Sequence, residues 1–252
     1  MLSLNSLSIF LIFCMFASVV AGNQIQNNRS CIDEFECGNI DNVRFPFSLS
    51  SQPDCGLYTI DCDVIPNPTI RIGENVYSVL RQGYSGGFRV LDRTLDYLLA
   101  RNNCETFDKG ISFPNSPSIS FRINERNITL FRCNNNLEIN MNMSDHYFRE
   151  YLSYTKCSGF NIYYKYPNRG REDSSDTSEE DIPDNCSPIR LPIRWNTSRL
   201  NDQNSGLFDL LTANFVIQWS LSDDCSKCYY QGGRCLTDSS NRFHCSRGNI
   251  FT

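Results

Sequence analysis

The stretch CIDEFECGNIDNVRFPFSLSSQPDCGLYTIDC, residues 31 to 62, decides the fold. It holds four cysteines, Cys31, Cys37, Cys55 and Cys62. Two Cys-Gly steps, Cys37-Gly38 and Cys55-Gly56, flank the aromatic-proline-aromatic knot Phe45-Pro46-Phe47. A glycine directly after a cysteine permits positive φ, so the chain can turn sharply beside a cross-link. Pro46 fixes its own φ and pushes Phe45 towards extended backbone. The combination predicts a tight, cross-linked, β-rich module and argues against an enzyme core with free thiols.

N-terminal to this stretch, Leu7 to Val20 is an apolar run with the length of a signal-peptide core, short for a membrane span. Val20-Ala21-Gly22 supplies small residues for cleavage, so residues 1–22 read as a signal peptide. A charged leader is missing, and an uncleaved anchor is the other reading. Of 13 cysteines only Cys14 falls in this run. The remaining twelve are an even number, compatible with six disulfides and with an oxidising compartment. Asn28, Asn127, Asn142 and Asn196 each open an Asn-x-Ser/Thr acceptor pattern, as expected of a secreted glycoprotein. Asn185-Cys186-Ser187 also fits, but its central cysteine is expected to be bridged. No later run of about 18 apolar residues exists, so the mature chain is expected to be soluble. The net charge of −5 and the lack of a basic tail argue against nucleic-acid partners.

C-terminal to Cys62 the pattern has period two. Ile70-Arg71-Ile72, Tyr77-Ser78-Val79-Leu80 and Phe88-Arg89-Val90-Leu91 read as short strands, with turns at Gly73-Glu74-Asn75 and Ser85-Gly86-Gly87. Ser118–Ile123 and Ile128–Cys133, separated by Asn124-Glu125-Arg126-Asn127, read as a hairpin. Asp92 to Arg101 can hold a helical turn with Leu95, Leu98 and Leu99 on one face. Cys157 to Tyr166 reads as a strand region. Residues 168–185 carry seven acids among serines and read as a solvated, disordered loop. They lack the spacing and glycine of a calcium-binding loop. Leu207 to Trp219 reads as a short helix running into a strand.

Chemistry-bearing clusters are few. Cys225, Cys228, Cys235, His244 and Cys245 are numerous enough for a zinc site, but the spacing and compartment favour disulfides. A thioredoxin-like redox pair lacks its βαβ context. His146 and His244 sit in no nucleophile motif, and no phosphate loop or kinase catalytic motif appears. Asp61 and Asp63 are a carboxylate pair of the kind a glycosidase uses, without further support. The expectation is a protein that is not an enzyme and carries no metal or cofactor.

The same residues resemble a plant family, the extracellular regions of wall-associated and leaf-rust-resistance-locus receptor-like kinases. Cys31, Phe35-Glu36-Cys37-Gly38, Arg44-Phe45-Pro46-Phe47, Cys55-Gly56, Ile60-Asp61-Cys62, Tyr77-Ser78-Val79, Cys104 and Leu130-Phe131-Arg132-Cys133 are similar to the galacturonan-binding domain. Cys157, Cys186, Ile189 to Pro192, Phe215 to Trp219, Cys225-Ser226-Lys227-Cys228, Gly232-Gly233-Arg234-Cys235 and Phe243-His244-Cys245 resemble the wall-associated kinase C-terminal domain. The family's closing Cys-x-Cys has Arg247 in its second place here. Family members are membrane-anchored and continue into a span and a kinase, and neither is present before Thr252. The expectation is therefore a stand-alone ectodomain or a fragment of a receptor, secreted to the cell wall or anchored at the plasma membrane if truncated.

The resemblance implies a mainly β, disulfide-rich fold with two small cysteine-rich modules, short antiparallel sheets and little helix. The expected layout is 23–135 for the galacturonan-binding-like domain and 136–167 for a linker and the start of the second module. The acidic loop follows at 168–185, then the C-terminal-like domain at 186–252. Cys31, Cys37, Cys55, Cys62, Cys104 and Cys133 form one even set, and Cys157, Cys186, Cys225, Cys228, Cys235 and Cys245 another. Each module is expected to close its own bridges. The implied ligand is cell-wall pectin, with another receptor ectodomain as the alternative partner for a decoy or co-receptor. A polymer of uronic acids calls for arginines, which bind carboxylates through charge-assisted, often bidentate hydrogen bonds. From Arg71 to Arg132 there are nine basic and six acidic residues. Arg71, Arg89 and Arg122 alternate with apolar neighbours, so all three are expected on the face opposite the core. Ordinary solvated positions are the other reading of these arginines.

Overall fold

The computed structural model describes residues 31–83, 86–135, 146–166, 182–194, 206–238 and 240–246. In chain order the strands are β1 (Glu34–Cys37), β2 (Ile40–Arg44), β3 (Phe47–Leu49), β4 (Tyr58–Asp61), β5 (Thr69–Ile72), β6 (Asn75–Gln82), β7 (Phe88–Leu91), β8 (Ile119–Ile123), β9 (Asn127–Asn134), β10 (Leu152–Tyr154), β11 (Phe160–Tyr164), β12 (Cys186–Pro192), β13 (Asn214–Leu221), β14 (Arg234–Thr237) and β15 (Phe243–Ser246). The α-helices lying wholly among the described residues are α1 (Arg93–Ala100), the single-turn α2 (Leu207–Leu210) and α3 (Asp223–Tyr230). The protein is mainly β and disulfide-rich, as expected.

The largest sheet has seven strands in the order β3-β4-β5-β6-β7-β13-β8, and all its pairs but β3–β4 are antiparallel. Its inner face is a continuous apolar surface. Ile60, Ile70, Ile72, Tyr77, Val79, Phe88, Val90, Phe215 and Ile217 pack there against Phe35, Ile40 and Val43 of the β1–β2 hairpin. The hairpin turns at Gly38, whose φ of 60° suits glycine after Cys37. Gly56 needs glycine for a different reason from the one expected. Its φ is −143°, but a Cβ there would lie 2.8 Å from the Pro46 carbonyl oxygen and from the Phe47 carbonyl carbon.

The second sheet, β10-β11-β9-β12, is antiparallel throughout. One face, with Ile128, Leu130, Ile162, Ile189 and Leu191, is covered by Leu95 and Leu99 of α1, by Phe107 and by the 207–213 segment. The helix starts where Asp92 accepts a hydrogen bond from the Leu95 amide at 2.9 Å. Phe131, Cys133, Phe148 and Tyr163 form a separate aromatic cluster on the other face. Among the described residues no helix is long and apolar enough to cross a membrane.

Two expectations are corrected. Ser118–Ile123 and Ile128–Cys133 do not pair with each other. β8 pairs with β13, opposing Phe121 to Trp219 and Arg122 to Gln218, while β9 lies between β11 and β12. Residues 124–126 therefore cross from one sheet to the other. A hairpin would have left the apolar positions of β9 short of partners, whereas β11 and β12 bury Ile128, Leu130, Phe131 and Cys133.

The bridges also cross the expected partition. Cys37–Cys62 stays within the first cysteine set, and Cys225–Cys235 and Cys228–Cys245 within the second. Cys104–Cys157 and Cys133–Cys186 join the two sets. Sheet register causes the second crossing, since Cys133 on β9 and Cys186 on β12 are direct cross-strand partners. Cys31 and Cys55 are disulfide-bonded as well. The Cys225 to Cys245 cluster is thus cross-linked, not a zinc site. Among the described residues no group of three His, Cys, Asp or Glu side chains is placed to hold a metal ion.

Candidate functional site

The outer face of the seven-stranded sheet is the polar one. Arg71 stands on β5 opposite Val76, Arg89 on β7 opposite Val216, and Arg122 on β8 opposite Gln218. All three point away from the inner apolar face, as alternation requires. They do not form one cluster. Arg71 is exposed, two strands from Arg89. Arg122 is held on its own strand pair, donating from Nε and Nη2 to Gln218 Oε1 at 3.2 and 2.9 Å. Arg89 lines a cavity.

That cavity has a volume of about 570 Å³ and is bordered by Arg81, Arg89, Asn124, Glu125, Arg194 and Asn214, with Gly83, Ile193, Thr212 and Val216 completing the wall. Arg81 arrives through a β-bulge. Val79 pairs with Val90 and Arg81 with Arg89, so β6 carries one more residue than β7 between these pairs. In an unbroken strand Arg81 would share the inward face of Tyr77 and Val79; the extra residue, Leu80, turns it outward. The two arginines become direct cross-strand neighbours, an arrangement that is unfavourable for like charges alone. Glu125 offsets part of this. Arg89 Nη2 donates to Glu125 Oε1 at 2.7 Å and its Nη1 to Asn214 Oδ1 at 3.0 Å. The side chains of this pair are only 28% and 13% exposed, so water screens them less than it would a surface pair. Arg194 follows β12, and its Nε donates to the Leu211 carbonyl at 3.1 Å.

Sequence alternation pointed to Arg89 and missed Arg81 and Arg194. A bulge leaves no mark in the hydrophobic pattern beyond Leu80 itself. Arg194 lies more than a hundred residues away and reaches the pocket because Ile193 bridges to Leu211 and takes up the Arg126 carbonyl.

The other sequence candidates sit elsewhere. His146 and His244 are exposed on separate elements. Asp61 Oδ1 accepts from the Asp63 amide at 3.0 Å, a local turn and not a paired acid–base site. Asn127 opens β9 and is half-buried opposite Pro192. The acceptor positions Asn28, Asn142 and Asn196, the signal segment 1–22 and most of the acidic stretch 168–185 lie outside the described residues.

The fold and pocket define a disulfide-braced, mainly β protein with a cationic cavity on the outer face of its largest sheet. Comparison with known proteins agrees. Residues 31–92 match the wall-associated receptor kinase galacturonan-binding family, and residues 156–249 match the wall-associated receptor kinase C-terminal family. The chain is also similar to leaf rust 10 disease-resistance locus receptor-like protein kinase-like 1.1 of Arabidopsis thaliana, at 28% identity over 250 residues. That alignment covers 98% of this chain and 34% of the relative, so the chain spans about a third of the kinase's length. No solved structure matches. These matches support a receptor extracellular region of the wall-associated kinase type.

Proposed function

We propose that this protein binds unesterified galacturonan of the plant cell wall through the arginine pocket on the outer face of the seven-stranded sheet. The observation that carries the reading is the bulge that sets Arg81 beside Arg89, with Arg194 in the same wall. Two of the three arginines fall inside the segment that matches the galacturonan-binding family. A guanidinium presents a planar fork that fits a carboxylate. Asn124, Asn214 and Thr212 add polar groups for sugar hydroxyls, and Val216 and Ile193 add apolar wall for a ring face. The volume falls within the range of small-ligand sites. Methyl-esterification of the uronate removes the charge that the arginines recognise. No bond is made or broken; the site holds its ligand.

This reading places the protein outside the cell after removal of residues 1–22, with glycans at Asn28, Asn127, Asn142 and Asn196. Binding of one short chain is weak and salt-sensitive, since charges are screened within about 8 Å at physiological salt. Long polymers gain by presenting many sites. A pectin column tests the proposal. The protein is expected to be retained on de-esterified pectin, released by salt and not retained on highly methyl-esterified pectin. Equal behaviour on both matrices overturns it.

A further inference from the structure

Resting on the carboxylate-binding reading of the pocket, we infer that Glu125 is a built-in competitor for the ligand. Its carboxylate occupies the edge of Arg89 that an incoming carboxylate would take, and it thereby limits affinity. Arg89 makes two dissimilar bonds. Its Nη1 bond goes to a neutral amide, Asn214 on the neighbouring strand, and positions the side chain. Its Nη2 bond goes to the charged Glu125 at 2.7 Å, the same chemistry that a uronate would offer.

The competitor is delivered by the short crossing between β8 and β9. That crossing is anchored on both sides, by the Asn124 amide on the Val216 carbonyl at 2.8 Å and by the Ile193 amide on the Arg126 carbonyl at 3.0 Å. Glu125 is therefore held at the cavity wall by backbone and is not a wandering surface acid. The charged lining is three arginines against one glutamate. A ligand carboxylate that engages Arg89 must displace Glu125. A neutral ester forms only the weaker uncharged hydrogen bond and does not compete. Glu125 thus lowers the gain that a ligand carboxylate draws from Arg89.

The test is calorimetric titration of wild type and Glu125→Gln with an unesterified galacturonate trimer and, separately, with citrate. Glu74→Gln, an exposed acid in the β5–β6 turn, is the charge control. The inference expects Glu125→Gln to bind about tenfold tighter, as loss of one charge-assisted competitor implies, and Glu74→Gln to match wild type. Glu125→Asp, which keeps the charge on a shorter arm, is expected to fall between and serves if the Gln variant does not fold. Unchanged or weaker binding by folded Glu125 variants overturns the inference, as does an equal gain in Glu74→Gln. A gain seen with citrate while the trimer binds neither protein keeps the competitor and removes the galacturonan reading. Trimer binding that is lost in Arg194→Ala but unaltered in Glu125→Gln keeps the galacturonan reading and removes the competitor. No binding of either probe by any variant removes both.

Discussion

Gly56 shows how one residue can hold the sequence-defining stretch in place. A Cβ at this position meets backbone atoms of Pro46, Phe47 and Ser48 at 2.8–2.9 Å, and backbone cannot swing aside as a side-chain tip can. Gly56→Ala is therefore expected to cost about 1–3 kcal/mol by overpacking, read as a fall in denaturation midpoint at unchanged slope. Tyr77 makes a second residue-scale prediction. Burial, then the charge of Asp92, push its hydroxyl up to about 12, with a smaller opposing contribution from Asn75. The folded state thus keeps a proton that the unfolded chain loses above about 10. This stabilisation is fully present below pH 10 and is lost as pH rises towards 12. Tyr77→Phe is expected to flatten the decline of stability between pH 10 and about 12 relative to wild type; parallel curves would contradict the assignment. At this scale alternation made the outward direction of Arg71, Arg89 and Arg122 legible. Arg81 was not legible, because the Leu80 bulge inverts its parity without altering composition.

At the scale of elements, helix α1 and the Leu207 to Trp219 helix-to-strand run were readable because each carries its own local signal. For α1 that signal is Asp92 followed by leucines at helical spacing, with Leu95 and Leu99 buried. Asp92→Ala removes the cap and is expected to lower stability by about 1 kcal/mol, seen as a drop of a few degrees in melting temperature. The β8–β9 hairpin was misread because its signal is local and its competitor is not. A short polar connection between two alternating strands looks like a turn, yet β13, from a hundred residues onward, supplies β8 with Trp219 for Phe121, Gln218 for Arg122 and Ser220 for Ser120. The disulfide cluster that ties α3 to β14 and β15 is tight in a way that sequence spacing does not reveal. A Cβ at Gly233 would lie 2.7 Å from Cys228 Sγ and 2.8 Å from Cys245 Sγ. Gly233→Ala is accordingly expected to lower the yield of correctly bridged protein, read by non-reducing peptide mapping.

For the whole molecule, cysteine parity revealed oxidation but not connectivity. Even sets are satisfied by many pairings, and the choice rests on which strands become neighbours. The Cys104–Cys157 and Cys133–Cys186 bridges each close a separation of 53 residues, worth about 4 kcal/mol each in the chain-entropy account. Peptide mapping is expected to recover both; bridges confined to the two sequence halves would contradict the architecture. The pocket depends on the same interleaving. Arg81 and Arg89 come from β6 and β7, Glu125 from the crossing between sheets, Arg194 from just beyond β12, and Asn214 from β13. The most direct test of the central claim is one titration series with unesterified oligogalacturonides at low salt. It compares wild type, the pocket variant Arg81→Ala/Arg89→Ala/Arg194→Ala, and the face variant Arg71→Ala/Arg122→Ala. The account predicts that binding disappears in the pocket variant and persists in the face variant. Equal affinity of wild type and the folded pocket variant would contradict it.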